Sequence, residues 1–234
     1  MRLTTEDSDA MNRDYYFSPS ATQVPVLQTN KLIRNTYLLL SATLLFSAFT
    51  AGAAMFLGFR GMHPLLTLGG YFLFLMLASS HRNSGWGLFW VFALTGFMGL
   101  TLGPILNFYQ HYVGNGPTLV VMAMGGTAAI FLGLSGYALA SRKDFSFLGG
   151  FLMTGILVAF LASLASFFLP VPGLSLAVSS MFILLMSGLI LYQTSKMVHG
   201  SETNYVMATV TLYVAIYNLF LSLLHLLGIS SSSD

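Results

Sequence analysis

Seven apolar segments, each close to the length of a membrane-spanning helix, follow one another along most of this chain. They cover residues 36–59, 65–80, 86–110, 118–140, 147–169, 174–192 and 205–228. A helix needs about 20 mostly apolar residues to cross a bilayer. The segments lack the alternation of barrel strands, and backbone groups in lipid must be hydrogen-bonded within their own segment. The pattern predicts an all-α membrane protein whose domain of seven transmembrane helices covers residues 31–234. The second and sixth segments are short, so we expect both helices to extend into the connectors.

The composition supports a surface that faces lipid. Only 7% of the 234 residues are charged and 56% are hydrophobic, whereas a soluble domain carries roughly 25% charged residues. The net charge of +2 comes from scattered basic residues, which argues against nucleic acid as a partner. The sequence contains no cysteine, which excludes a disulfide framework, a thiol nucleophile and a cysteine metal site.

The N-terminal segment, residues 1–30, has a different composition from the rest. It is polar and charged, and its few apolar residues cannot bury a core, so it is predicted to be a disordered tail. Tyr15, Tyr16 and Phe17 form an aromatic cluster within it. The simpler interpretation is an incidental cluster, and the alternative is a docking patch for a partner.

The positions of lysine and arginine predict the orientation in the membrane. Of the lysines and arginines near the ends of the predicted helices, six fall on the side where the odd-numbered helices begin, and only Arg60 falls on the other side. The six are Lys31, Arg34, Arg82, Arg142, Lys143 and Lys196. Basic residues concentrate on the cytoplasmic side of membrane proteins. The tail is therefore predicted to be cytoplasmic, and the C-terminus to lie on the opposite side.

Small residues recur at a spacing of four in several predicted helices. The sets are Gly99 with Gly103, then Gly125, Ala129 and Gly133, and finally Gly155, Ala159 and Ser163. Such residues let helix backbones approach closely in a membrane. They predict a compact bundle, and we expect them to pack inside it rather than to form a dimer face.

The acidic residues all lie outside the apolar segments. They are Glu6, Asp7, Asp9, Asp14, Asp144, Glu202 and Asp234. Ion-coupled transport usually relies on carboxylates within the membrane, so this distribution weakens such a function. The five histidines show no metal-binding spacing. We therefore predict neither a metal site nor another cofactor.

One string resembles an enzyme motif. Residues 133–136, GLSG, resemble the serine motif of intramembrane proteases, and His225 is the one histidine inside a predicted helix. With the predicted topology, Ser135 lies near the cytoplasmic face and His225 near the opposite face, about 25–30 Å away at 1.5 Å per residue. A nucleophile and its base must be within hydrogen-bonding distance. We therefore predict that the protein is not an enzyme.

Polar side chains inside the helices define a further candidate site. Asn107 follows Gly103-Pro104, which should loosen the third helix. Tyr213, Tyr217 and Asn218 place polar groups near the middle of the seventh helix. Hydrogen bonding between helices is the simpler interpretation of these groups, and a polar cavity for ligand or water is the alternative.

Several long strings resemble the Bax inhibitor-1 family, also called the transmembrane Bax-inhibitor-motif family. They are TGFMGLTLGPILNFY (95–109), GGTAAIFLGLSGYALASRKDFSFLGGFL (125–152) and LYQTSKMVHGSETNYVMATVTLYVAIYNLFLSLLHLLG (191–228). The string TNKLIRNTYLLLSATLLFSA (29–48) is similar to the bacterial YccA branch. The resemblance implies a bundle of seven helices in which the last helix is central and surrounded by the other six.

The resemblance also shows where this sequence departs from the family. In members described as pH-sensitive calcium leaks, one acid follows an LY pair at the end of the sixth helix and another lies in the seventh. The matching positions here are Gln193 and Ala215, and an acid of the family's second helix has no counterpart in 65–80. The acid-pair mechanism therefore does not transfer to this chain.

The YccA branch implies a function in the bacterial inner membrane, as a substrate and modulator of the FtsH-type ATP-dependent protease. The resulting hypothesis is a non-enzymatic regulator that binds this protease and its associated membrane proteins, restrains it, and is itself degraded through its tail. Its other partner is the lipid bilayer. The alternative is a family-type calcium or proton leak with a different gate.

Overall fold

The computed structural model describes residues 26–168 and 173–231, and every regular element within those two ranges is a helix. The helices are α1 (Val26–Phe56), α2 (Pro64–Ser80), α3 (Gly85–Tyr112), α4 (Gly116–Ser141), α5 (Leu148–Phe168), α6 (Leu174–Val198) and α7 (Tyr205–Ser231). Six of them are long and apolar enough to cross a membrane, and α2 is a shorter apolar helix of 17 residues. The predicted membrane bundle of seven helices is confirmed.

The helix ends differ from the predicted ones mainly at α1. This helix begins at Val26, ten residues before the first apolar segment, so residues 26–30 are helical rather than part of the predicted disordered tail. No glycine or proline occurs between Val26 and Phe56 except Gly52, so nothing stops the helix where its apolar part begins. Tyr15, Tyr16 and Phe17 lie outside the described residues.

The two short segments behave differently. Helix α6 continues to Val198, beyond the predicted end at residue 192, as expected. Helix α2 gains only Pro64 at its start and ends at Ser80, so its predicted extension is wrong. The connector to α3 is only four residues long, 81–84, because α3 already begins at Gly85. A helix cannot lengthen into so short a connector without losing the turn.

The last helix occupies the centre of the bundle, as the resemblance implied. Helix α7 packs against α1, α2, α3, α4 and α6, and most of its length is buried. In the described residues, however, no Cα atom of α5 comes within 8 Å of α7. Helix α5 instead packs on α6, where Gly155 faces Leu185 and Leu152 faces Gly188. Five helices rather than six therefore surround α7, and α5 lies outside α6.

The small residues of α3 allow a close approach to α1, as predicted. A Cβ atom at Gly99 would overlap Thr50 Oγ1 and the carbonyl oxygen of Ser47, and one at Gly103 would lie 2.5 Å from the Cβ of Ala54. Glycine is therefore required at both positions for this contact, which is the main packing contact of α1.

The small residues of α4 do not pack inside the bundle, so that prediction is wrong. Gly125, Ala129 and Gly133 are exposed, and a Cβ atom at either glycine would meet nothing within 4 Å. The buried face of α4 instead carries Ala123 and Thr127. Gly125 and Ala129 lie two positions after these buried residues, and residues two positions apart point in nearly opposite directions on a helix. In the third set, Ala159 is buried but Ser163 is exposed.

Three connectors meet at one end of the bundle, which we call the basic end. Asn204 Nδ2 donates to the carbonyl oxygen of Arg82 at 3.1 Å and to Asn83 Oδ1 at 2.8 Å. Ser195 Oγ donates to the carbonyl oxygen of Lys143 at 3.2 Å. The connectors α2–α3, α4–α5 and α6–α7 thereby bring their basic residues together, at the end where α1 begins.

Candidate functional site

Tyr213 joins three helices at the centre of the bundle. Its side chain is 1% exposed, and its hydroxyl group donates to the carbonyl oxygen of Thr95 in α3 at 3.2 Å. Ser47 Oγ of α1 lies 2.6 Å from the same hydroxyl oxygen. Because the tyrosine hydrogen is directed at Thr95, Ser47 is the donor in this second bond. The arrangement is the predicted hydrogen bonding between helices.

Tyr217 repeats this arrangement one turn later. Its ring is stacked on that of Tyr213, with centroids 6.2 Å apart. Its hydroxyl oxygen lies 3.3 Å from Thr101 Oγ1 of α3, which itself donates to the carbonyl oxygen of Met98 at 2.8 Å. Tyr217 is therefore the donor to Thr101. The two tyrosines together fix the position of α7 against α1 and α3.

A cavity of about 530 Å³ lies beside the two tyrosines. Helices α1 and α4 form its walls, and α3 and α7 form its floor. The lining is largely apolar and consists of Leu44, Ser47, Ala48, Ala51, Gly52, Met55, Leu102, Leu106, Val120, Met124, Thr127, Ala128, Phe131, Leu132, Tyr213, Ile216, Tyr217 and Phe220.

The four residues predicted for a polar cavity divide into two pairs. Tyr213 and Tyr217 line the cavity, whereas Asn107 and Asn218 do not. Asn218 Nδ2 donates to the carbonyl oxygen of Val214 at 2.8 Å, within its own helix. Asn107 is contacted through its main chain, since its main-chain carbonyl oxygen lies 3.0 Å from the Nδ1 atom of His111. A ligand-binding role for the tyrosines remains a prediction.

The cavity opens sideways, between α1 and α4. Within the described part of the chain, no Cα atom of α1 comes within 8 Å of one of α4, although the rings of Tyr37 and Phe131 lie 6.0 Å apart towards the basic end. The cavity occupies the second half of α1, from Leu44 to Met55, and runs along α4 from Val120 to Leu132. On α1 it therefore lies in the half of the helix that is farther from the basic end.

Gln193 and Ala215, at the two positions where the resemblance implied an acid pair, carry an amide and a methyl group. Gln193 is 3% exposed, and its Nε2 atom donates to Glu202 Oε2 at 3.3 Å. Glu202 Oε1 accepts the N–H groups of Thr203 and Asn204 at 3.0 and 2.9 Å, just before α7. Ala215 is fully buried in the core. This region therefore holds one carboxylate, in a connector.

A second polar group lies near the basic end and includes Ser135. Thr194 Oγ1 of α6 is 3.5 Å from both the Ser135 hydroxyl of α4 and the Tyr37 hydroxyl of α1. His225 instead lies with its Nδ1 atom 2.8 Å from Ser179 Oγ. Thr194 and Ser179 are about 22 Å apart along α6 at 1.5 Å per residue. Ser135 and His225 therefore form no catalytic pair, as predicted.

The connector between α4 and α5 contains the other described carboxylate. Asp144 accepts hydrogen bonds from the hydroxyl and the backbone N–H of Ser146, and these bonds lower the pKa of the Asp144 carboxyl below its usual range. In the described ranges, no group of three or more His, Asp or Glu side chains could hold a metal ion.

Comparison with known proteins places the chain in a family. The family described as "Inhibitor of apoptosis-promoting Bax1" matches residues 29–232. The chain belongs to this Bax inhibitor family. It is 48% identical over 218 residues to the Escherichia coli K12 protein named "Modulator of FtsH protease YccA", which covers 93% of this chain and 99% of that protein. The same protein in another E. coli strain is named "Inner membrane protein YccA".

Other relatives also match over most of their length. An uncharacterized protein of Pseudomonas aeruginosa is 47% identical over 207 residues, which is 88% of this chain and 93% of that one. Mouse "Protein lifeguard 4" is 30% identical over 225 residues, or 92% of this chain and 91% of that one. The family assignment therefore covers the whole helical bundle.

The sequence did not identify two parts of these sites. Ser47, whose hydroxyl binds Tyr213, is a single hydroxyl residue inside an apolar segment, and such residues usually bond to their own helix. Thr95 contributes its main-chain carbonyl oxygen, which every residue has, while its hydroxyl donates to the carbonyl oxygen of Phe92 in its own helix. The bond between Gln193 and Glu202 depends on how the connector before α7 folds back. The two residues are nine positions apart, and only the turn between them brings the amide and the carboxylate together.

Proposed function

We propose that this chain regulates an FtsH-type protease in the bacterial inner membrane, by binding the protease complex and slowing its action on other substrates. The observation that carries the proposal is the 48% identity to the E. coli protein named as a modulator of that protease. The similarity extends over 93% of this chain and 99% of the relative, so it is not limited to one shared segment.

We further propose that the N-terminal segment makes the protein a substrate of the same protease. Helix α1 has 31 residues, or about 46 Å at 1.5 Å per residue, whereas a bilayer core is about 30 Å thick. Its first turns contain Lys31 and Arg34, and the residue Leu27 in these turns is 81% exposed. These turns extend beyond the lipid. The N-terminal segment that composition predicts to lack structure, residues 1–30, includes the start of this helix.

The architecture of the bundle supports inhibition. An ATP-driven protease must pull a membrane protein apart before it degrades it. Because α7 is packed against five other helices, extraction of any of these neighbours must break contacts with the centre of the bundle. A substrate that is easily engaged but slowly extracted would occupy the protease and delay its other substrates. This argument requires the basic end to face the cytoplasm, in line with the distribution of lysine and arginine.

Pulse-chase measurements in cells with and without the protease test both parts of the proposal. A variant that lacks residues 2–25 leaves α1 intact and should have a longer half-life than the full chain. It should also slow the turnover of other membrane substrates at least as strongly, because it persists. A chain with the same residues 2–25 in shuffled order keeps length and composition, and should be degraded like the original.

The outcomes separate the two parts. If the shortened protein is degraded as fast as the full chain, the tail is not the segment that the protease engages. If neither form changes the turnover of other substrates, the regulatory function is wrong. Alanine at Tyr15, Tyr16 and Phe17 tests the docking patch separately, since loss of co-purification of the protease with normal degradation would assign binding to these side chains.

A further inference from the structure

We propose that the cavity between α1 and α4 is a binding site for a single hydrocarbon chain of a membrane phospholipid. The chain enters sideways from the leaflet farther from the basic end. This inference is independent of the protease, because it depends on the shape, the depth and the hydrogen bonding of the cavity alone.

The length of the cavity matches one leaflet of the membrane. Its lining on α1 runs from Leu44 to Met55, which is about 16 Å at 1.5 Å per residue. Half of a hydrocarbon core of about 30 Å is about 15 Å. Because the lining lies in the second half of α1, a chain from the leaflet on that side can follow the cavity over its whole depth.

The cavity is narrow enough for a single extended chain. Its volume of about 530 Å³, spread over the same length, gives a mean cross-section of about 33 Å². Such a narrow channel accommodates an alkyl chain, and the small side chains of Ala48, Gly52 and Ala128 leave its side open.

The hydrogen bonding of the lining indicates an apolar ligand. Four lining residues carry hydroxyl groups, and the donor hydrogen of each is directed at a protein atom. Ser47 donates to Tyr213, Tyr213 to the carbonyl oxygen of Thr95, and Tyr217 to Thr101. Thr127 Oγ1 donates to the carbonyl oxygen of Ala123 at 2.7 Å. Water needs several polar partners in a buried site, so the cavity offers an alkyl chain a better environment than it offers water or an ion.

Photolabelling with a defined lipid tests the site. The full-length protein is reconstituted in phosphatidylethanolamine vesicles that contain a trace of the same lipid with a diazirine in the middle of one acyl chain. After irradiation, labelled peptides are quantified by mass spectrometry. We expect labelling to concentrate on Met55, Thr127 and neighbouring cavity residues, above the level on the outward side of α5 around Leu157, which is exposed and represents ordinary contact with lipid.

Two matched variants make the test specific. Gly52 lines the cavity and Gly136 lies on the exposed side of α4, and a Cβ atom at either position would meet nothing within 4 Å. Gly52→Phe should fill the opening and reduce labelling of Thr127, which is 5% exposed, to the level seen on α5 or below it. Gly136→Phe should leave it unchanged. Thermal unfolding of both variants in detergent checks that each one is folded.

Two results would overturn the proposal. The first is equal labelling of the cavity and of α5 in the original protein, which would mean that lipid only surrounds the bundle. The second is unchanged labelling of Thr127 in a folded Gly52→Phe variant, which would mean that the chain does not enter between α1 and α4.

Discussion

Gln193 donates a hydrogen bond to Glu202 over 3.3 Å, and this bond ties the end of α6 to the connector before α7. Glu202 uses its other oxygen to accept two backbone N–H groups there. An amide has no proton that is gained or lost near neutral pH. The link between the last two helices is therefore built from one carboxylate and one group that does not titrate.

This link leads us to expect no acid-gated calcium leak. A carboxylate senses protons near neutral pH when burial or a paired acid raises its pKa, and Gln193 and Ala215 offer no acid at the two positions where the family resemblance implied a pair. The measurement is calcium flux into liposomes between about pH 6 and pH 8, with protein-free liposomes as the control. A steep rise in acid that depends on the protein would contradict this expectation. Glu202→Gln would then show whether Glu202 is the gate.

Substitution of the central tyrosine should destabilise the bundle measurably. Tyr213→Phe removes the bonds to Ser47 and Thr95, so we expect the free energy of unfolding to fall by about 1 kcal/mol, in the range measured for hydrogen bonds between membrane helices. Unfolding in mixed micelles with increasing denaturing detergent measures the change. Tyr112→Phe is the control because Tyr112 is 79% exposed. Equal effects at the two positions would show that the buried network adds no stability.

The contact between α1 and α3 should not tolerate even one additional methyl group. Gly99→Ala places a Cβ atom against Thr50 and the backbone of Ser47, and overpacking of this kind costs about 1–3 kcal/mol. Gly133→Ala adds the same group on the open side of α4 and should stabilise the helix slightly, by about 0.5–1 kcal/mol. The same unfolding assay compares them. A Gly99→Ala variant as stable as the original would mean that α1 and α3 can separate without loss.

The orientation of the bundle can be tested with reporter fusions. Alkaline phosphatase folds only outside the cytoplasm, so a fusion after Ser141, next to Arg142 and Lys143, should be inactive. A fusion after Asp234 should be active, because seven membrane crossings place the two ends of the chain on opposite sides. Immunoblots of the fusion proteins control for expression. The reverse activities would place the basic end in the periplasm and exclude engagement of the N-terminal segment by a cytoplasmic ATPase.

The sequence predicted the helices well, because the length and apolar character of each segment are set by the thickness of the bilayer. It predicted the start of α1 poorly, since residues 26–35 are polar and their helix is not required by lipid. Spacing alone also misplaced Gly125 and Gly133. Glycines at that spacing allow close packing but do not require it, and the face that is buried depends on neighbours elsewhere in the chain.

The position and shape of the cavity could not be predicted, for a related reason. It exists because two helices, α1 and α4, do not approach each other, although both pack on α7. A residue pattern describes what each helix can contact, whereas an opening depends on the arrangement of four helices at once. Tyr213 and Tyr217 were recognisable as polar groups inside a helix, and a polar cavity beside them was one of two interpretations, but its largely apolar lining and its position between α1 and α4 could not be read from the sequence.

The central helix of this bundle is also the last of the described helices along the chain. Until α7 is inserted, α1 and α3 can pair, and α5 and α6 can pair, but the five helices that surround α7 lack their common partner. The hydroxyl group of Ser47 then also lacks Tyr213, to which it donates in the complete bundle. Completion of the bundle therefore depends on α7, and a chain that stops before α7 leaves the five surrounding helices without their central contact.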